Sequence, residues 1–310
     1  MSVETEKKVI RFRQMGGKRA QESNRRRLSP LWASLRRSPV GMIGLGIVCL
    51  LLFLAVFGSL IVPHDPVDGN LRARFMPPGF TSEAGVNLLG TDQLGRDIFS
   101  RIIVGSTVSV MVGVVSVLIA GSIGVLLGLL AGFFGGWVDN VVMRIADGLL
   151  SIPFIILVVA VSGILSAGLG TLILILGLTG WVTYARVIRG EVLKVREMEY
   201  VIAAYAIGQS RVRVMLNHIL PNVISTAIIL AASQVGVTIL AESSLSFLGL
   251  GVKSPTVTWG LMLADGRQYI NSAWWMTTFP GIAITITVLG VAFLGDWLRD
   301  VLDPNMRGRG

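Results

Sequence analysis

The sequence predicts an all-α integral membrane protein of six transmembrane helices with both termini cytoplasmic. Three observations carry that expectation. Hydrophobic residues make up 53% of the 310 and charged residues only 15%, against roughly 25% charged in a typical soluble domain; mean hydropathy is +0.72. Such a chain has too little charge to clothe a surface facing water. Uncharged runs of membrane-spanning length recur along it, and its cations concentrate on one side of those runs.

Residues 1–40 hold eleven Lys/Arg and three Glu, which is +8 of the chain's net +9. A basic segment beside an apolar run reads as a cytoplasmic flank facing anionic membrane lipid. No aromatic or fold signal accompanies the charge, so nucleic acid is not the expected partner. Gly41–Val62 follows, 22 residues without a charge and long enough to cross about 30 Å of hydrocarbon. Its long basic flank and its length argue against a cleaved signal, whose apolar core is about 7–15 residues. Cys49 inside this run is the single cysteine, so no intrachain disulfide forms.

Residues 63–101 are expected outside. There Thr91 precedes an amphipathic run with Asp92 in its first turn, which reads as a helix cap. Ile102–Phe134 is uncharged over 33 residues, more than one span needs, so part of it is expected to be interfacial or strongly tilted. Gly124, Gly128, Gly132 and Gly136 recur every fourth residue; at helical spacing they form a ridge that lets another helix approach closely. Gly148–Ala185 lacks charge over 38 residues, too many for one helix, and SGILSAGLG (Ser162–Gly170) supplies a break. Helices are therefore expected over residues 141–164 and 170–188, with Pro153 kinking the first and Arg144 and Asp147 pairing at i, i+3. Val223–Ala241 and Thr277–Gly295 complete six spans, the last kinked by Pro280. Segment 246–276 carries Pro255, Trp259, Trp274 and Trp275, and reads as an interfacial or partly re-entrant lid on the outer side. A core of five spans thus occupies 102–298, and 299–310 is a short cytoplasmic tail. With this arrangement 21 Lys/Arg lie inside and six outside, the bias that sets orientation.

The spans contain almost no ionisable side chains, Glu242 at the outer end of the fifth being the nearest exception. Ion-driven secondary transporters place such groups at mid-membrane, so that class is the more distant alternative. Catalytic constellations are missing. His64 and His218 fall on opposite faces of the membrane and cannot share a metal. The sequence contains no CxxC, HExxH or GxSxG, and Gly17-Lys18 lacks the upstream glycine and following Ser/Thr of a phosphate loop. The chain is expected to be non-catalytic and to hold no cofactor or metal of its own.

The informative region is the inner loop 189–221. Glu191, Lys194, Arg196, Glu197 and Glu199 make a polar start. Tyr200, Val201, Ala203, Ala204 and Ile207 then form a short, mostly apolar helix that Gly208 ends. A basic helix with Arg211 and Arg213 follows, and Leu220-Pro221-Asn222 opens the next span. A helix–turn–helix of this kind offers a docking knob to a partner.

Ala203-Ala204, Gly208 four residues on, then nine residues, then His218-Ile219-Leu220-Pro221 resembles the EAA loop of bacterial ABC-importer permeases. LLGTDQLGRDIFSRIIVGSTVS (Leu88–Ser109) and AESSLSFLGLGVKSPTVTWGLML (Ala241–Leu263) resemble signatures of the C-type subunits of the dipeptide/oligopeptide (nickel) importers. Phe279–Arg307 is similar to their last span and tail. The resemblance covers Pro39 to Arg307 and implies a type I ABC-importer permease fold in a bacterial inner membrane. It implies a heterodimer with a homologous second permease, two cytoplasmic ATPase subunits carrying ATP and Mg, and an extracytoplasmic solute-binding protein. Peptide is the implied solute, with nickel, opine, glutathione or oligosaccharide as alternatives. The loop is similar to a coupling helix seated in a groove on one ATPase, and the matching positions are Tyr200, Ala203, Ala204, Gly208, His218, Leu220 and Pro221. Ala203 and Ala204 would allow close packing, Gly208 the turn and Pro221 a rigid restart. The family's acidic residue falls at Ile202, which removes a polar contact there and leaves the apolar docking.

Overall fold

Ser38 opens the first long helix. Its hydroxyl accepts from the Gly41 amide at 3.1 Å, Pro39 needs no amide partner in the first turn, and α1 (Pro39–Ile61) follows. The computed structural model describes residues 34–82, 85–166 and 168–302. The basic segment 1–33 and residues 303–310, with Arg307 and Arg309, lie outside the described residues.

A short antiparallel hairpin, β1 (Phe80–Ser82) and β2 (Gly85–Asn87), precedes α2 (Ile98–Phe134). Then come α3 (Gly136–Ser151), α4 (Phe154–Ile164) and α5 (Leu169–Val195). Short helices α6 (Glu199–Ala206) and α7 (Arg211–Val214) lead through a π-helical turn, Met215–Ile219, into α8 (Leu220–Phe247). The chain ends with α9 (Trp259–Gly266) and α10 (Trp275–Leu302). Among the described residues five helical segments are long and apolar enough to cross a membrane: α1, α2, α5, Arg211–Phe247 and α10. The pair α3–α4 is bent by 90° and makes a sixth if it counts as one broken span.

That bend corrects the single helix expected over 141–164. Pro153 has no amide to donate and its ring excludes a helical carbonyl four residues back; it also pushes Ile152 out of the helical region. Both residues are extended, with ψ of 123° and 129°. Pro280 behaves differently, lying in the second turn of an uninterrupted α10. α2 is likewise one helix of 37 residues, about 55 Å long, against a hydrocarbon thickness of about 30 Å.

The longest packing seam runs between α2 and α5. A Cβ on Gly128 would lie 2.6 Å from the Ala185 carbonyl oxygen, and one on Gly132 would lie 2.8 Å from Val192 Cβ. Gly124 lies equally close to Trp181 and Tyr184. Gly136 does not belong to this ridge: it follows the end of α2 at φ 52° with nothing within 4 Å, because the helix stops at Phe134. The expected Arg144–Asp147 pair is also corrected. Asp147 pairs with Arg186 of α5 at 2.6 Å, and Asp139 pairs with Arg189, so these carboxylates tie α3 to α5 instead of stapling α3 to itself.

At the hairpin end, Asp97 caps α2 by accepting from the Ser100 amide at 2.8 Å; the cap expected at Thr91 is therefore displaced. Thr91 instead donates its hydroxyl to the Ala73 carbonyl, and Asp92 binds buried arginines. The tryptophans of the second loop divide. Trp259 and Trp275 are buried and donate to the carbonyls of Ile102 at 2.8 Å and Thr91 at 3.1 Å, while Trp274 is exposed. Two of the three thus lock α9 to the first turns of α2 and α10 to the segment that precedes it.

Candidate functional site

At the opposite end, α6 lies across the ends of α2, α5 and α8. Val201 and Ala204 point inward, 0% and 4% exposed, into a cluster with Leu129, Ile188, Val192, Val214, Ile219 and Val223; Leu220 packs against the same cluster. The opposite stripe faces solvent: Tyr200, Ile202, Tyr205 and Ile207 are each at least 40% exposed, and Ala203 is exposed between them. These side chains form an exposed apolar patch at this end of the helical bundle. The two alanines read as one docking pair in sequence are therefore split: Ala203 belongs to the outer surface, and Ala204 to the chain's own core.

The exit from α6 is rigid. The Gln209 amide donates to Ala204 O at 3.1 Å and the Gly208 amide to Tyr205 O at 3.0 Å, the two bonds of a Schellman cap. Gly208 occupies its left-handed position at φ 82°. Gln209 Oε1 then meets His218 Nε2 at 2.9 Å, bridging the turn to the foot of α8, and the His218 ring lies 6.4 Å from that of Tyr200. The π turn ends with the Leu220 amide donating to Met215 O, five residues back. This widening accommodates Pro221 in the first turn of α8, where an ordinary helical turn would force its ring onto the Asn217 carbonyl. Arg196 closes the frame, donating Nη1 to Gly132 O at 3.2 Å. Gln209 and Arg196 were not legible as framework residues, since a long-range hydrogen bond leaves no periodic trace. The inward placement of Ala204 had a signal, the i, i+3 spacing of Val201 and Ala204.

The two expected interfacial histidines are well separated in the fold: His64 sits at the hairpin end with Nδ1 3.7 Å from Asp97 Oδ2. Asp65 beside it has its carboxyl held below the ordinary range by the backbone amides of Asp68 and Val67. Glu242 is completely buried in α8, accepting from Ser246 Oγ at 2.8 Å and Ser243 Oγ at 3.3 Å. Among the described residues no three His, Cys, Asp or Glu side chains group as metal ligands.

A bundle of long apolar helices with a rigid, apolar-faced helical loop at one end defines an integral membrane component. Residues 124–308 match the family described as binding-protein-dependent transport system inner membrane component, and residues 29–78 match the N-terminal TM domain of oligopeptide transport permease C; the chain belongs to this transport-permease family. It is similar to the dipeptide transport system permease protein DppC of Bacillus subtilis (strain 168), 39% identical over 277 residues, 89% of this chain and 85% of the relative. The probable D,D-dipeptide transport system permease protein DdpC of Escherichia coli (strain K12) is 40% identical over 275 residues, 89% of this chain and 91% of the relative. The oligopeptide transport system permease protein OppC of Bacillus subtilis (strain 168) is 37% identical over 272 residues, 88% of each chain.

Proposed function

We propose that this chain is the C-type permease subunit of an ABC importer for di- or oligopeptides. It forms half of the translocation path beside a homologous permease. ATP and Mg are bound and ATP is hydrolysed on two partner ATPase chains, and an extracytoplasmic binding protein delivers the solute. The observation that carries this reading is α6, an apolar outer face on a frame too well tied to swing alone. ATPase closure against that face would move α5 and α8 as bodies and alternate the access of the path.

The experiment separates the faces of α6 in the complete complex, reading membrane abundance, ATPase co-purification and uptake of a labelled dipeptide. Ala203→Arg is expected to leave abundance unchanged and to weaken ATPase association and uptake. Ala204→Arg is expected to lower abundance itself, because overpacking and an unpaired buried charge together cost about 3 kcal/mol or more. If Ala203→Arg transports normally, the outer face is not the docking surface.

Gly208→Val tests the cap. No neighbour lies within 4 Å of the added Cβ, so the penalty is conformational, roughly 1–2 kcal/mol and larger for a β-branched residue. It falls on the loop, not on the spans. The expected result is an inserted chain whose dipeptide uptake and substrate-stimulated ATP hydrolysis both fall severalfold; normal uptake at normal abundance would remove the loop from the coupling route.

The topology proposed with this function is six spans with both termini cytoplasmic and the hairpin end outside. In a Cys49→Ser background, an impermeant thiol reagent added from outside is expected to label Ser272→Cys and not Ser23→Cys in intact cells. Outside labelling at position 23 inverts the orientation.

A further inference from the structure

Where the ends of α5, α8 and α10 meet, the structure contains a cavity of about 570 Å³. Its wall brings together one carboxylate and two cations, Glu191 and Lys194 from α5 and Arg299 from α10. Asn222, Ser225 and Thr226 of α8 add amide and hydroxyl groups. None of the three charges forms an ion pair among the described residues, although Arg186 and Arg189 on the same helix pair with Asp147 and Asp139. Charges of both signs thus line one cavity without neutralising one another.

A second observation concerns the face of α8 that continues from this cavity. Asn222, Ser225 and Thr226 at the cavity are followed on the same side of α8 by Ser233 and Ser244, with Ile229, Val237 and Leu240 between them. The serines bond only to their own helix, Ser225 to Asn222 O at 3.0 Å, Ser233 to Leu230 O at 2.9 Å and Ser244 to Leu240 O at 2.8 Å. None of these three serine hydroxyls bonds to another helix among the described residues. Polar groups on a membrane helix face a protein interior or a water-filled passage in preference to hydrocarbon, which favours the cavity end of this face, at Asn222, Ser225 and Thr226, as the part beside a polar passage.

We infer that the cavity is an exit subsite of that passage and takes a small zwitterionic peptide by its two ends. Glu191 receives the ammonium, Lys194 and Arg299 receive the carboxylate, and the α8 amide and hydroxyls face the peptide backbone. A purely anionic ligand would meet Glu191 in the same cavity; a zwitterion matches both signs. The charged side chains remain accessible to water, which keeps each pairing weak, as a site that a solute must leave requires. The inference rests on the peptide-importer reading and deepens it.

The test uses the complete complex with Cys49→Ser and Ser225→Cys, in neutral-lipid nanodiscs without the solute-binding protein. Dialanine at millimolar concentration is expected to slow modification of the introduced thiol by a soluble maleimide. N-acetyl-dialanine and dialanine amide each lose one charged end and are expected to protect about tenfold more weakly. Adding Glu191→Gln should erase the discrimination against the acetylated peptide and keep that against the amide; adding Lys194→Met with Arg299→Met should do the reverse. Each comparison is a ratio within one variant, so a smaller folded fraction does not mimic it. Equal protection by all three peptides, equal protection by inorganic phosphate, or protection that follows added anionic lipid overturns the inference. So does absence of protection in a complex that imports dialanine when the binding protein is supplied, an outcome that leaves the importer reading standing. A complete complex that imports no dipeptide removes the importer reading and this inference with it.

Discussion

Asp92→Ala is expected to prevent accumulation of the folded chain. Asp92, Arg96 and Arg101 are 4%, 6% and 3% exposed. Asp92 accepts from Arg96 Nε at 2.7 Å and from the amides of Leu94 and Arg96 at 2.9 and 3.0 Å, and Arg101 Nε lies 3.7 Å away. One carboxylate therefore closes the 92–96 turn and faces two buried guanidinium groups. Removing one partner of a buried ion pair costs about 3–5 kcal/mol, comparable with the whole stability of a marginal domain, about 5–15 kcal/mol. Asp265 reaches Arg96 at 3.5 Å and its side chain is 31% exposed, so Asp265→Ala should cost about 1 kcal/mol or less. Asp92→Asn keeps an acceptor and loses the charge, and should fall between the two. Membrane abundance and thermal unfolding of the purified chain give the ranking; an Asp92→Ala chain as stable as wild type would show that the network does not hold the hairpin end together.

Gly128→Ala is expected to open the α2–α5 seam, and a larger residue to do so more completely. The added Cβ would stand 2.6 Å from Ala185 O and 3.0 Å from Ala185 Cα, both backbone atoms that no rotamer change can move. Overpacking of this kind costs about 1–3 kcal/mol. Gly148→Ala is the matched control: the same substitution, inside α3, with nothing within 4 Å. It should be neutral or stabilising by up to about 1 kcal/mol, the helix propensity of alanine over glycine. Thermal unfolding of the two variants side by side separates seam packing from propensity, and equal stability would mean that α2 and α5 are not held at this distance.

The same glycines show where linear reading stops. Four glycines at fourfold spacing indicate a ridge, yet spacing does not say where the helix ends, and Gly136 falls beyond it. Pro153 announces an interruption, but whether a proline kinks a helix or turns it through 90° depends on what the flanking segments can pack against. Arg144 and Asp147 have the right local spacing to pair, and Asp147 instead finds Arg186, 39 residues away, because α3 is laid against α5.

Membrane residence was legible because hydrocarbon acts on each segment independently: a run of apolar residues long enough to span about 30 Å is expelled from water whatever its neighbours are. The short helix and turn over residues 199–208 and the restart at Pro221 were legible for a related reason, since Gly208, Pro221 and the Val201–Ala204 spacing act through local backbone geometry. Which face of each helix meets protein was not legible, because lipid and a helix interior are equally apolar and association depends on close fit. The α2–α5 seam, the Asp92 hub and the meeting of Glu191, Lys194 and Arg299 at one cavity all depend on which helix lies beside which. That choice is made by shape and by long-range hydrogen bonds, to which hydropathy read along a single chain carries no reference.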